Sequence, residues 1–260
     1  MKFVEPKVFL IGETRIIEDQ FQDYLEHVGA PEWKSDAPSD AERLTEMLGR
    51  LCYRSFKPGL NPNVTRVREG NDAYLGHILE VGHGSVLEHA VLNFVFADVS
   101  RVFTHELVRH RAGTAISQES LRFVRLDTLS TYVPMHIKES EEGMEIMTRT
   151  VEHLEQVQKD LADAYAIDDE EKFDVKKKLT SAFRRLAPIG VATTIGWSCN
   201  MRSLRHVLEM RTEPNAEEEI RVVFAKVYEL VKTRYPNLLG DYEETEVDGI
   251  PWLQSKNRKV

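Results

Sequence analysis

The sequence predicts an α+β fold, a single domain of mixed strands and helices spanning residues 1–260. Three observations lead there. The chain has 260 residues, 42% hydrophobic and 30% charged, enough to build one sizeable core. Its strongest strand, Ala90 to Val99 (AVLNFVFADV), is set among longer stretches of helical periodicity. Strands and helices follow one another without a regular βαβ alternation, and no glycine-rich dinucleotide fingerprint or P-loop occurs.

In chain order, Lys7 to Ile11 reads as a first strand ended by Gly12, and Gly29 to Ser39 as a loop rich in Pro, Ala and Ser. Ser39 caps a helix of about 15 residues, because Glu42 stands where a capping box needs an acid. Leu44, Met47, Leu48 and Leu51 form its apolar stripe, and Cys52 reads as core. Val64 to Val81 reads as helix ended by Gly82, with Leu75, Ile78 and Leu79 on one face. Ser100 caps a short helix through Arg109, and Ser120 to Arg125 reads as strand after a polar loop. Helices follow over Lys138–Ala166 and Glu170–Leu186, joined by the acidic run Asp168 to Glu171. Pro188 breaks the chain, Ala192 to Trp197 is β-rich, Asn200 to Arg211 is helical, and a last helix spans Asn215 to Tyr235.

Charge and composition narrow the function. Net charge is −9, with a pI near 5.6, so the surface as a whole does not attract nucleic acid polymers or anionic membranes. A local basic pocket for an anionic metabolite remains compatible with this. The two cysteines, Cys52 and Cys199, form no disulfide framework, and the N-terminal residues do not read as a signal peptide. No run of roughly 20 apolar residues occurs. The expected setting is cytoplasmic.

Four segments can carry chemistry. His83-Gly-Ser85-Val-Leu-Glu88-His89 reads either as a capped polar turn or as a loop whose Ser85 hydroxyl and backbone amides hold a phosphate. Arg109-His110-Arg111, followed by Ser117-Gln118-Glu119-Ser120-Leu121-Arg122, suits a phosphate or pyrophosphate, because arginine forks match such oxygens. Surface Arg–Glu pairing is the plainer explanation. On a strand, Ser120 and Arg122 would share a face. Asn200 to Arg211 places Arg211 on the helical face of Leu204, Val207 and Leu208. There it needs a polar or anionic partner, unless it simply complements the helix C-terminus. Arg184-Arg185-Leu-Ala-Pro188, taken alone, reads as helix-end cations. No metal site is expected: His105-Glu106 and His110 imitate a zinc-protease motif, but histidines five apart lie about 140° around a helix.

Taken in order, these segments resemble the flavin-dependent thymidylate synthases. The matching blocks are HxSxxEH at 83–89, RHR with Ser120-x-Arg122 after it, Arg184-x-x-x-Pro188, and Asn200-x-Arg202-Ser-Leu ending in Arg211. The resemblance implies FAD-dependent methylation of dUMP to dTMP, with methylenetetrahydrofolate as one-carbon donor and NADPH as reductant. It needs no cysteine nucleophile, and it implies a homotetramer whose active sites are shared between subunits. By the same resemblance Ser85, Arg109, His110, Arg111 and Gln118 would contact FAD, with Asn200 and Arg202 at further flavin positions. Glu106, Arg109, Ser120, Arg122 and Arg184 would surround the nucleotide, with Gln118, Glu119 and Leu121 beside them. Arg211 would contact the pyrimidine and favour ionisation at N3, which activates C5.

Three departures from the family pattern stand out. Eight residues, Ala112 to Glu119, separate Arg111 from Ser120 where the family usually has seven, so a bulge is expected there. Glu106 stands where the family often has Gln, and His206, the remaining flavin position, where it often has Asn. The carboxylate motivates an alternative in which the base is another pyrimidine, such as that of dCMP, or the product is hydroxymethylated. A non-catalytic nucleotide-binding protein is the alternative from a different class; retention of Arg211 and of both RHR arginines argues against it.

Overall fold

The computed structural model describes residues 1–124, 126 and 128–258. Strands and helices are mixed. The N-terminal half contains β1 (Lys2–Phe3), β2 (Lys7–Glu13), α1 (Glu18–His27), α2 (Asp40–Tyr53), α3 (Asn71–Glu80), β3 (Val91–Ser100), α4 (Arg101–Leu107) and β4 (Thr114–Gln118). After them come β5 (Ser130–Thr131), α5 (Met135–Lys138), α6 (Glu141–Ala164), α7 (Phe173–Phe183), β6 (Ala192–Asn200), α8 (Met201–Thr212), α9 (Glu218–Val231), α10 (Pro236–Leu239), β7 (Tyr242–Val247) and β8 (Ile250–Ser255). The main sheet has the strand order β2-β3-β6-β4.

The chain divides into two compact units. The first comprises Met1–Phe9, Val95–Arg109 and Ile116–Trp197; the second comprises Leu10–Phe94, His110–Ala115 and Ser198–Val260. In the first, Phe96 packs edge-on to Phe103 at 5.4 Å and against Trp197 at 6.1 Å. Leu121, Leu129, Val151 and Val191 form a further cluster. In the second, Phe21, Leu25, Met47 and Phe56 gather around α1 and α2. The periodicity of α9 predicts a buried stripe of Ile220, Val223, Phe224, Val227, Leu230 and Val231; five of these are fully buried, but Leu230 is 40% exposed.

Caps set the helix starts. Ser39 Oγ accepts from the Glu42 amide, as an N-cap does, but the Glu42 carboxylate takes the Ser39 hydroxyl, where a capping box would have it take the Ser39 amide. Ser100 and Asn200 cap α4 and α8. Several expectations are corrected. The helix expected over Val64–Val81 begins only at Asn71, because Gly70 stands at φ 83° and Asp36 Oδ1 takes the Asn71 amide. Ser120–Arg122 is not strand: Ser120 Oγ accepts from the Arg122 amide and closes a turn, while Arg125 lies outside the described residues. Arg109 is not helical, since α4 ends at Leu107. Cys52 is exposed rather than core.

The stripe of α2 is also corrected. Leu51 is 40% exposed, while Glu42 and Glu46 are buried. Glu46 binds Arg50 one turn on and also Ser35 and Asn71, while Glu42 takes the distant Asn237 amide. Burial pushes the Glu42 carboxyl up.

Glu13, at the end of β2, accepts from Arg234 and from the Tyr235 hydroxyl. Those Arg234 hydrogen bonds, chiefly, lower its pKa from 4.5 to about 2. Its contribution to stability is therefore complete above the unfolded pKa and lost as pH falls toward 2. Glu13→Gln is expected to cost about 1 kcal/mol at neutral pH. Thermal melts from pH 7 down to pH 2 should show the gap between parent and variant closing below about pH 4.5.

Candidate functional site

In the first unit, an open cleft of about 340 Å³ is lined by Arg101 and His105 of α4 and by Leu121, Arg184, Arg185 and the Ala187–Ile189 segment. Arg101 and His105 are one helical turn apart, which aims both side chains to one side. The Nη2 of Arg101 donates to the Glu119 carbonyl at 3.2 Å, and its buried Nε has no hydrogen-bond partner among the described residues. Burial first, and then repulsion from Arg184, lower the Arg101 pKa. A cleft in which arginines repel one another and a buried N–H is unsatisfied is built for an anion.

The expected nucleotide stretch runs along this part of the chain. Gln118 Nε2 donates to Thr104 Oγ1 at 3.2 Å. The Glu119 carboxylate takes the Thr194 amide at 2.9 Å, and the Glu119 amide donates back to the Thr194 carbonyl at 3.0 Å. Leu121 is buried. Arg122 faces a second cleft with Asp174, Lys177, Lys178 and Ser181, of about 450 Å³. Beside it the exposed rings of Phe123 and Phe173 stack at 6.1 Å, with the Lys177 ammonium 4.9 Å from Phe123. Arg109 is exposed and Glu106 half-buried. Sequence reasoning did not single out Arg101 or Lys177; it took Arg185 as a helix-end cation and His105 only as part of a rejected metal motif. The one signal it offered was the i, i+4 spacing of Arg101 and His105.

In the second unit three motif blocks come together. Gly84 presses so closely on Arg202 that a Cβ there would lie 2.7 Å from its Nε, and Arg202 donates to Glu88 at 2.6 Å. Gly113, at φ 65°, accepts at its carbonyl from the Asn200 amide, and a Cβ there would meet Asn200 Nδ2 at 2.2 Å. Ser203 Oγ donates to the Ala112 carbonyl. Ser85 and Arg111 are exposed. His83 stacks on Tyr53 at 6.4 Å.

Arg211, in the last turn of α8, donates from Nε to His110 Nε2 at 2.7 Å. His110 Nε2 is the acceptor in this contact. Its ring lies edge-on to His206 at 5.9 Å. RHR and the Asn200–Arg211 block, about a hundred residues apart in sequence, thus share a direct contact.

Residues 35–237 match the family model described as thymidylate synthase complementing protein. A flavin-dependent thymidylate synthase of Corynebacterium efficiens is 37% identical, over 84% of this chain and 86% of that one. One from Corynebacterium diphtheriae is 35% identical, over 82% and 83%. The chain belongs to the flavin-dependent thymidylate synthase family. The fold agrees. Helicobacter pylori thymidylate synthase X, crystallised with FAD and dUMP, matches with TM-score 0.56 at 19% identity, over 90% of this chain and 99% of that one. A UMP/dUMP methylase, PolB from Streptomyces cacaoi, bound to 5-Br dUMP, matches with TM-score 0.63 at 15% identity, over 92% and 95%.

Proposed function

We propose that this member of the family methylates C5 of dUMP to give dTMP, using methylenetetrahydrofolate as one-carbon donor and NADPH as reductant. The observation that carries the reading is the Arg101–Arg184–Arg185 cleft, which is cationic and in which Arg184 repels Arg101. The described residues also fit FAD. They offer an exposed Ser85 hydroxyl, an exposed Arg111 guanidinium, and Arg202, which packs on Gly84 and pairs with Glu88, as donors that a pyrophosphate can use. FAD, when bound, supplies the redox chemistry. Ser85, Arg109, His110, Arg111, Gln118, Asn200, Arg202 and His206 would hold it. Glu106, Arg109, Gln118, Glu119, Ser120, Leu121, Arg122 and Arg184 would line the nucleotide. Arg211 would place a fixed positive charge where negative charge develops on the pyrimidine. The whole chain acts as one catalytic domain, in a homotetramer with shared sites. The two free cysteines suit a reducing cytoplasm.

Glu106 supports a second reading, in which the base is another pyrimidine, because a carboxylate there changes which ring edge can donate. Two measurements test both. Purified protein is expected to show flavin absorption, and methylation is expected to be fastest with dUMP among dUMP, UMP and dCMP. Absence of flavin after incubation with FAD would overturn the first reading, and preference for dCMP or UMP would replace it with the second.

A further inference from the structure

We propose that the C-terminal hairpin is a positioning element for Arg211, acting through Thr212. The hairpin, β7 and β8 closed by Asp248-Gly249 in left-handed conformation, lies beyond residues 35–237, the part matched by the family model. It packs on α8 and α9. It grips α8 along one stripe, at residues spaced four and then three apart. Tyr242 donates its hydroxyl to the Arg205 carbonyl at 2.7 Å, and Arg205 Nη2 in turn donates to Ser255 Oγ at 2.9 Å. Arg258 pairs with Glu209 at 2.9 Å. At the end of the helix, Thr212 is fully buried; its Oγ1 donates to the Leu208 carbonyl and accepts from the Leu253 amide at 3.0 Å.

The last contact matters most. Leu253 stands opposite Glu244 in the hairpin register, and its amide is turned to Thr212. A hydroxyl at position 212 is therefore the link between a strand amide and the last turn of α8, next to Arg211. Without it the buried Leu253 amide is unsatisfied and that turn loses its tether. A guanidinium that must meet a small ring within a few tenths of an ångström depends on a backbone held this way. The inference rests on the reading that Arg211 meets the pyrimidine.

Thr212→Val removes the hydroxyl at nearly constant volume, and Thr212→Ser keeps it. With kcat expressed per flavin-bound subunit at saturating substrates, Thr212→Val is expected to lower kcat about tenfold at unchanged FAD content. Thr212→Ser should restore it. A kcat for Thr212→Val within about twofold of the parent, or failure of the serine to rescue, overturns the proposal. If Thr212→Val does not fold, Tyr242→Phe tests the same grip at Arg205: a fall in kcat with FAD retained supports positioning, and an unchanged kcat overturns it. Arg211→Ala is measured alongside. If that variant keeps the parental rate, the pyrimidine-contact reading is what has failed; if it is inactive while Thr212→Val is not, only the positioning role has failed.

Discussion

Arg211→Ala is expected to abolish methylation of dUMP while the protein stays folded and flavin-bound. The guanidinium is oriented by His110, whose Nε2 accepts from Arg211 Nε at 2.7 Å. It stands at the end of a helix whose neighbouring Leu204, Val207 and Leu208 are buried. A charge-assisted hydrogen bond to a pyrimidine carbonyl or ionised N3 is worth about 1.5–3 kcal/mol. If that bond is stronger in the transition state, its loss costs about 10²–10³ in rate. Arg211→Lys should rescue poorly, because an ammonium has no Nε–H to donate to His110 in the same plane. The competing explanation is a helix-end ion pair with Glu213 or Glu217 that only steadies the fold. It predicts a lower melting temperature with turnover per flavin-bound subunit almost unchanged. Both quantities measured on one preparation decide between them.

The second large effect is expected at the anion cleft. Arg184→Gln should raise the KM for dUMP about ten- to a hundredfold with kcat little changed, as loss of one charge-assisted phosphate contact predicts. The same variant should not destabilise the ligand-free protein, because removing Arg184 relieves the repulsion that lowers the Arg101 pKa. Thermal shifts provide the matching readout: dUMP should stabilise the parent by mass action and the variant much less at equal concentration. Lys177→Ala is the control, since Lys177 lines the other basic cleft with Arg122. If KM rises in Lys177→Ala and not in Arg184→Gln, the phosphate sits in that second cleft.

Residues whose structure depends on near neighbours were legible in advance. The N-caps Ser39, Ser100 and Asn200, and the strand read over 90–99 and found over 91–100, were all readable. Each needs only a side chain and an amide a few residues away, or alternation along one strand. The hairpin at 242–255 went unread although Asp248-Gly249 is a hairpin turn pair. Four successive residues of β7, Glu243–Glu246, are exposed, so the strand carries little apolar alternation. Ser120–Arg122 went wrong for a different reason: a short side chain outcompeted the ladder for the Arg122 amide.

By itself, then, the sequence determined the mixed α+β class, the capped starts of α2, α4 and α8, and the four motif blocks that mark a flavin-dependent thymidylate synthase. Those properties are local or ordered along the chain. Tertiary structure decided where the charges meet. It made the inner face of α2 polar, through Asn71 and Asn237. It put Arg101 in one cleft with Arg184 and His110 against Arg211. These contacts join residues from 25 to 195 positions apart, and no periodicity or short motif encodes them. Only folding brings the buried polar groups together, and burial then makes each partner obligatory.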